Sequence, residues 1–235
     1  MDMYNKVSNT AERKMIENEF GVTFKFPKLY KPSPVINGAE EATLSIITME
    51  NPDIISYGIW GILPNDYKDE WMDFQNVLST LSVNKKNLNR DFLFKKPFRY
   101  RRCLIIVTGF FINHLHNGHL YPYYVYLNTK KPFCLAGVYN TLDDGFLTCS
   151  IVVTNTFGVI NKIQNINSKM PVVVPKDLYK LWLNQDSTSE QLNDLIVPSS
   201  LKFQAHPIAK EFFKNGISYE SMLEPVYYKD IPNRL

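Results

Sequence analysis

The feature that most constrains the fold is a run of apolar, β-branched and aromatic segments between residues 98 and 154. Four of its segments have the composition of β-strands. They read CLIIVTGFFI (103–112), YPYYVYLN (121–128), PFCLAGVY (132–139) and FLTCSIVVT (146–154). The connections HNGH, NTKKP and LDDG contain residues that favour tight turns. These patterns predict a largely antiparallel, barrel-like sheet.

Helical patterns lie on both sides of this strand-rich region. Residues 9–20 carry apolar side chains at helical spacing, with Asn9 and Glu12 placed as a capping box and a glycine directly after. Ser187 and Glu190 predict a second capping box. We therefore expect one α+β domain over residues 1–235, with the sheet at its centre and the helices at its periphery.

Composition supports a large core and restricts the classes of function. Of the 235 residues, 45% are hydrophobic and 14% are aromatic, so a long disordered region is not expected. The net charge of +3 permits a polyanionic partner without requiring one. Glycine-rich phosphate loops, paired-cysteine zinc patterns and the HExxH and GxSxG motifs are absent from the sequence. We expect no cofactor.

The cysteines and the N-terminal residues bear on the compartment. Three cysteines, an odd number, stand in apolar segments without any CxxC pair, which favours buried thiols in a reducing compartment. The first 20 residues are polar and charged, unlike a secretory signal. No apolar run reaches the roughly 20 residues that span a bilayer. We expect a cytoplasmic protein that does not enter the membrane.

Three of the four histidines lie close together, at positions 114, 116 and 119. His-x-His on a strand places two imidazoles on one face, and imidazole is a common ligand of zinc, copper and iron. Asn117 and Gly118 predict a hairpin tip between these histidines, however, and an exposed tip is a poor place for a preorganised metal site. We therefore expect no metal, and keep a metal-dependent enzyme as an alternative.

Residues 95–102, KKPFRYRR, hold five cations with aromatic residues between them. Cations neutralise phosphates and aromatic rings stack on unpaired bases, so such a segment can bind single-stranded nucleic acid. The alternative is a solvated edge strand whose charges prevent aggregation. The spacing alone does not separate the two.

The order of several segments adds a resemblance to a known family. RCLIIVTGFF, YPYYVYL, FCLAGVY, SIVVTNTF, IQNINSKMPVVV and DLYKLWL follow one another in this chain, after YGIWGILP. This series resembles the SRAP family, SOS-response-associated proteins that shield abasic sites in single-stranded DNA. The family segments read RCLIPADGFYEW, PYYIY, FAFAGIW, SIITTEAN and IHNTKKRMPVIL. The match extends over essentially the whole chain and implies the SRAP fold.

The family's chemistry implies four functional groups. An N-terminal cysteine, exposed by removal of the first methionine, condenses through its amine and thiol with the sugar aldehyde of an abasic site. The same cysteine trims a short propeptide in some members, hence the peptidase label. A glutamate and a histidine transfer protons, and an asparagine in an N-A-R segment orients the N-terminus and the sugar.

Three of these four positions differ in this sequence. The resemblance places Asp2 or Met3 at the cysteine, Ile112 at the glutamate and Gln164 at the histidine. A thioether cannot form the thiazolidine, and neither isoleucine nor glutamine titrates. The candidate asparagine is Asn87 or Asn89.

Two further family positions bear on DNA binding. The arginine of RMP becomes Lys169, which keeps the charge. The aromatic pair after the WGLIP segment, expected to wedge against unstacked bases, becomes Asn65 and Asp66.

We therefore expect a SRAP-fold protein that has lost the crosslinking chemistry, a pseudoenzyme. Non-covalent binding of single-stranded DNA would use five residues, which are Asn87, Arg99, Arg101, Arg102 and Lys169. One alternative is an active abasic-site enzyme that uses the N-terminal amine as a Schiff-base nucleophile. Another is a module that binds a protein or a small ligand in the former cleft.

Overall fold

The structure, a computed structural model, describes residues 4–195, 201–214, 217 and 219–233. Within these residues the chain forms an α+β fold dominated by antiparallel strands. In chain order the strands are β1 (Lys6–Asn9), β2 (Thr23–Phe24), β3 (Ser33–Asn37), β4 (Thr43–Thr48), β5 (Ile54–Trp60), β6 (Ser82–Asn84), β7 (Arg102–Val107), β8 (Gly109–His116), β9 (His119–Leu127), β10 (Phe133–Thr141), β11 (Leu147–Asn155), β12 (Lys169–Pro171), β13 (Val173–Val174) and β14 (Phe203–Pro207).

The helices are short and lie between the strands. They are α1 (Arg13–Phe20), α2 (Trp71–Val77), α3 (Phe92–Tyr100), α4 (Gly158–Ile163), α5 (Tyr179–Leu183) and α6 (Ser189–Leu195). Single 3₁₀ turns form at 38–40, 85–87, 176–178, 210–213 and 220–223. No helix within the described ranges has the length and apolar composition to cross a membrane.

Five strands form a closed barrel. The order β11-β10-β7-β4-β5 is antiparallel at each step, and β5 returns to β11 through a parallel pairing in which Gly58 lies opposite Leu147. Closure satisfies the edges of these strands, which would otherwise expose unpaired backbone groups. The predicted barrel-like, largely antiparallel sheet is confirmed.

A second sheet of five strands, in the order β14-β9-β8-β1-β3, continues directly from the barrel. The segment 103–112, predicted as one strand, is two strands in different sheets, and this expectation was wrong. The backbone N–H of Thr108 donates to the carbonyl of Ser8 at 2.8 Å, outside both ladders. Gly109 then begins β8, where a Cβ would lie only 2.6 Å from the carbonyl oxygen of Val125. Backbone packing at a glycine therefore allows the strand to change sheets.

Alternation along the strands divides the core into two clusters. On β7, Cys103 and Ile105 face the barrel interior, in a cluster that extends to the inner face of the second sheet. Leu104 and Ile106 face outward, in a cluster that the peripheral helices complete with Ile16, Leu93, Phe98, Trp182 and Leu192. The helices thus pack on the outer face of the barrel.

The three cysteines are buried and free, as the apolar segments predicted. Cys103 and Cys149 pack in the interior cluster and Cys134 packs in the outer one. Burial raises the pKa of each thiol. They are therefore packing residues and not nucleophiles at neutral pH.

The predicted capping box at α1 does not form, and the one at α6 is displaced by one residue. Asn9 belongs to β1, and α1 begins after Glu12 without a side-chain cap, although Gly21 ends it in the left-handed region (φ 70°) as predicted. At α6 the reciprocal bonds join Thr188 and Gln191, one residue beyond the predicted pair. The N-terminal boundary of α6 shifts by one residue because several neighbouring polar residues can cap a helix equally well.

Candidate functional site

A cavity of about 300 Å³ lies where five separate segments of the chain meet. They are the N-terminal segment with β1, the end of β3, the middle of β8, the loop between α4 and β12, and the 3₁₀ turn at 210–213. The residues that line it are Tyr4, Asn5, Lys6, Asn37, Ala39, Phe111, Asn113, Gln164, Asn167, Phe212 and Phe213. None of these described lining residues is a carboxylate, an imidazole or a thiol. We call it the N-terminal cavity.

Tyr4 fixes the start of the described chain against β8. Its hydroxyl donates to the carbonyl of Phe111 at 2.9 Å and accepts from the N–H of the same residue at 3.0 Å. Its own N–H donates to the Ser82 hydroxyl on β6 at 3.3 Å. Asp2 and Met3, the two candidates for the family cysteine, lie outside the described residues. The chain that follows them lines the cavity.

Gln164 also lines this cavity and is almost fully buried, at 6% exposure. Its side-chain amide donates to the carbonyl of Lys169 at 2.5 Å and to the side-chain oxygen of Asn167. The amide therefore closes the loop between α4 and β12 on itself. A glutamine holds the shape of this loop, yet it supplies no group that titrates.

Ile112 lies beside the cavity without lining it. Its side chain is 1% exposed and packs in the interior core cluster. Its neighbours on β8, Phe111 and Asn113, line the cavity instead, because side chains alternate across a strand. The side-chain oxygen of Asn113 is buried without a hydrogen-bond partner. Asn113 thus contributes a polar side chain to the cavity lining, with its oxygen buried.

The predicted hairpin tip between the histidines is confirmed. Asn117 and Gly118 both have positive φ, at 48° and 74°, in the turn between β8 and β9. Below the tip, a ring nitrogen of His114 (Nδ1) lies 2.6 Å from the carbonyl oxygen of Ile163. Asn165 exchanges two hydrogen bonds of 2.8 Å with the backbone of Leu115. The hairpin is thus docked on the segment that leads into Gln164.

The histidines themselves do not form a metal centre. The rings of His114 and His116 are stacked with their centroids 6.1 Å apart. Among the residues that the structure describes, no group of three or more His, Cys, Asp or Glu side chains could hold a metal ion.

Lys6 is the one cation among the described lining residues. Its Nζ donates to the carbonyl of Phe212 at 2.8 Å and lies 4.5 Å from the centroid of the Phe212 ring. Burial lowers the pKa of Lys6, against an opposing contribution from the charge of Glu40. Sequence reasoning missed this residue, because nothing local distinguishes a lysine that begins a strand.

Asn84 is a further candidate for the family asparagine, because it lies on β6 near Ser82. Asn84 ends β6 two residues after Ser82, the partner of Tyr4, whereas Asn87 is exposed in the turn 85–87. The Asn84-Lys85-Lys86 segment also matches the N-A-R pattern, an asparagine followed two residues later by a cation. Asn87 and Asn89 stay predictions for the family asparagine.

The segment 95–102 is mostly helical, so the edge-strand alternative was wrong. Its first six residues complete α3, and Arg101 follows as the C-terminal cap. One face of α3 is exposed from end to end, with Phe92 at 83% exposure and Tyr100 at 47%. Between these rings the face carries Lys95, Lys96 and Arg99. We call this face the α3 surface.

Arg101 and Lys169 are half-buried and bonded to asparagines. Arg101 donates to the side-chain oxygen of Asn140. The Nζ of Lys169 donates to the side-chain oxygen of Asn155 at 3.1 Å. Both cations remain partly accessible, and Lys169 adjoins the N-terminal cavity through its carbonyl contact with Gln164.

Arg102 is buried at 1% exposure, unlike its neighbours. Its guanidinium donates to the carbonyls of Phe98, Arg99, Trp182 and Asn184 at 2.6 to 3.1 Å. These contacts join α3, β7 and α5. The guanidinium hydrogen bonds of Arg102 are thus directed to backbone carbonyls, and they hold these elements together.

Asn65 and Asp66 stand where the family has an aromatic pair, and neither supplies a ring. Asn65 donates from Nδ2 to the carbonyl of Thr141 at 2.9 Å, and its oxygen accepts from Asn140 at 2.8 Å. Asp66 is exposed. Asn65 therefore ties its loop to β10 and presents no ring for stacking.

Comparison with known proteins shows the family to which this chain belongs. The family model for SOS response associated peptidase (SRAP) matches residues 3–215. The chain belongs to the SRAP family. The resemblance seen in the order of the sequence segments is thereby confirmed.

Curated SRAP relatives include two proteins of Bacillus subtilis (strain 168). Abasic site processing protein YoaM is 27% identical over 192 residues, which cover 78% of this chain and 80% of YoaM. Abasic site processing protein YobE is 28% identical over 145 residues, which cover 59% of this chain and 63% of YobE.

Solved structures share this fold. A protein from Bacteroides thetaiotaomicron superposes with a TM-score of 0.84 at 21% identity, covering 94% of this chain and 99% of that one. A protein from Bordetella bronchiseptica superposes with a TM-score of 0.72 at 13% identity, covering 87% and 99%.

Proposed function

We propose that this SRAP-family protein binds single-stranded DNA and lacks the family's cysteine-dependent crosslinking chemistry. The observation that carries the proposal is the composition of the N-terminal cavity, whose described lining offers amides, aromatic rings and one lysine. Amides and rings bind sugars, bases and phosphates. They do not provide the general acid and base that the family's chemistry requires.

The position of Gln164 supports the loss of acid–base chemistry. The amide is directed to the carbonyl of Lys169 and to Asn167, so its protons serve the loop and not a substrate. At Ile112, a carboxylate would have to replace an aliphatic chain within the interior core. Ile112 therefore serves core packing, and Gln164 serves the structure of its loop.

Polar and charged residues occur between the cavity and α3, and they support nucleic-acid binding. Lys169 contacts Asn155 on β11, and Asn84 lies opposite Val153, two residues earlier on the same strand. The chain then runs through the turn 85–87, which includes Asn87, to α3. A single strand of DNA can follow these residues with its phosphates on the cations.

The α3 surface has the composition expected for this role. Its three cations take part in none of the ion pairs found among the described residues, which involve Arg13, Lys131 and Lys176. Its exposed ring at Phe92 can stack on a base, and one such stack contributes about 1–3 kcal/mol. The exposed ring of Tyr100 lies under the guanidinium of Arg99, 5.2 Å from the ring centroid. The relatives' designation as abasic site processing proteins agrees with a DNA ligand.

Fluorescence anisotropy with a labelled, intact single-stranded oligonucleotide tests the proposal. We expect binding at low salt and a linear fall of log K with log salt, with a slope of about 0.7 per phosphate contact. Arg99→Glu should weaken binding about tenfold and flatten the slope, because it replaces a phosphate contact with a repulsive charge.

Lys14→Glu is the matched control, since Lys14 is equally exposed but lies on α1. It makes the same change in net charge, and its effect should stay below threefold. Equal effects of both variants would show that net charge alone attracts DNA. No binding in low salt would contradict the proposal.

A module that binds a basic peptide is a second candidate, which a carboxylate-rich cavity favours. This cavity of about 370 Å³ lies beside α2 and contains the rings of Tyr67 and Trp71. Five carboxylates line it, from Glu41, Asp69, Glu70, Asp143 and Asp144. Preference for an oligolysine peptide over the oligonucleotide in the same anisotropy assay would favour this candidate.

A further inference from the structure

The N-terminal cavity contains an amine that the family's chemistry does not use. Lys6 begins β1 and its side chain lines the cavity together with Tyr4 and Asn5. The first described residue, Tyr4, is held against β8 and β6, so the lysine is carried on a fixed strand and not on a loose terminus. Its position is therefore preorganised.

The surroundings of Lys6 suit an amine that loses its proton. No carboxylate lies within ion-pair distance of its Nζ in the described part of the chain. The nitrogen contacts a neutral carbonyl and an aromatic ring, both from Phe212. Burial lowers the pKa of this amine, and Glu40 opposes the shift only through its charge. A neutral amine is the form that attacks carbonyl carbon.

The rest of the cavity can hold a sugar. Its volume of about 300 Å³ is at the lower end of small-molecule sites. Asn113 lines the cavity, and its buried side-chain oxygen has no hydrogen-bond partner. Side chains of Asn5, Asn37 and Asn167 add further polar contacts.

We propose that Lys6 is a nucleophile that condenses through Nζ with the aldehyde of an abasic deoxyribose held in the N-terminal cavity. This inference rests on the proposed binding of single-stranded DNA. The product is a reversible imine on the Lys6 side chain. It differs from a thiazolidine and from an imine at the N-terminal amine.

The reaction balances without an added reagent. The neutral amine adds to C1′ of the ring-opened sugar, and a proton moves from nitrogen to the carbonyl oxygen to give a carbinolamine. Loss of water then removes that oxygen together with both amine hydrogens and leaves a C1′=N bond. Hydrolysis reverses both steps, so the strand is released unless a hydride donor reduces the imine.

Borohydride trapping tests this assignment. The probe is a fluorescein-labelled single-stranded oligonucleotide with one abasic site, incubated with the full chain and sodium borohydride. Reduction converts an imine into a stable secondary amine, and digestion with mass spectrometry locates the modified residue. We expect an adduct on Lys6. The Lys6→Arg variant should reduce the trapped band at least tenfold, since a guanidinium keeps the charge but forms no imine.

Lys14→Arg, on the exposed face of α1, is the matched control and should leave the yield unchanged. Thermal unfolding of Lys6→Arg checks its fold, and mapping of the wild-type adduct is independent of the variant. An adduct on another residue, or none although the abasic strand binds, overturns the Lys6 assignment and leaves the proposed function intact. Absence of all binding to single strands overturns both.

Discussion

At the scale of single residues, the adjacent Arg101 and Arg102 have the same side chain but differ in burial and in hydrogen-bond partners. Arg101 is half-buried with one asparagine partner, whereas four carbonyls surround the guanidinium of Arg102. Burial lowers the pKa of Arg102 to about 10, which still leaves it charged at neutral pH. Its hydrogen bonds to carbonyls at the ends of α3 and α5 satisfy acceptors that a helix leaves open.

Arg102→Leu should lower the free energy of unfolding by about 3–5 kcal/mol, because it leaves several buried carbonyls without donors. Urea unfolding followed by circular dichroism measures the loss. Arg90→Leu is the matched control at an exposed arginine and should change stability by less than about 0.5 kcal/mol. A loss below 1 kcal/mol for Arg102→Leu would show that water satisfies these carbonyls.

At the scale of elements, the sequence was sufficient for three of the central strands and insufficient for the cavity. Strong β-composition and turn residues predicted β9, β10 and β11, because local preference and global fold agree there. Helix α3 was missed although Asp91 caps it and Leu93, Phe94 and Phe98 bury one face. The cation-rich composition of residues 95–102 is also compatible with a solvated edge strand, so composition alone did not indicate a helix.

The candidate site was harder to predict than the strands, for a physical reason. Gln164 was found because a family motif marks its position, but Lys6 and Asn113 meet only through tertiary packing of β1 on β8. The exposure of a side chain also depends on packing, which is why Arg102 was grouped with exposed cations. Such contacts between distant segments leave no pattern in the local sequence.

Helix α1 is joined to distant elements through Glu19, and this predicts a pH effect. Its carboxylate lies 2.9 Å from Lys131 Nζ and 2.9 Å from Lys176 Nζ. Hydrogen bonding to Lys131 is the main cause that lowers the pKa of Glu19. A lowered folded-state pKa gives stability that is present above the unfolded pKa, roughly 4.3, and is lost as pH falls through the folded value.

Glu19→Gln should therefore cost about 0.5–1 kcal/mol at pH 7, a modest loss because both lysines are about 60% exposed. The difference between the variant and the wild type should narrow below about pH 4. Urea unfolding across pH 3–7 measures it. Glu224→Gln, at an exposed position, is the control, and a constant difference across this range would contradict the ion-pair explanation.

At the scale of the whole molecule, the barrel and the second sheet share one core cluster. Val7 and Phe110 of the second sheet pack in the same cluster as Ile105 and Ile151 of the barrel. Strand β1, near the start of the chain, pairs with β8 in its middle. Long-range contacts of this kind favour a single cooperative unit.

We therefore predict one unfolding transition for residues 1–235. In differential scanning calorimetry the calorimetric and van't Hoff enthalpies should agree, as they do for a two-state domain. Val125→Ala, in the second sheet, and Ile151→Ala, in the barrel, should each lower the midpoint without splitting the transition. Two separated transitions in either variant would show that the sheets unfold independently.

The change of sheet at Thr108 and Gly109 has a consequence for how this protein could diverge. Because β7 runs into β8 with no loop between them, we expect a shift in the barrel's packing to displace Phe111 and Asn113 as well. Mutations deep in the hydrophobic interior can therefore retune ligand selectivity without touching a lining side chain. Directed evolution of this scaffold should recover specificity variants at β7 as well as at the cavity wall.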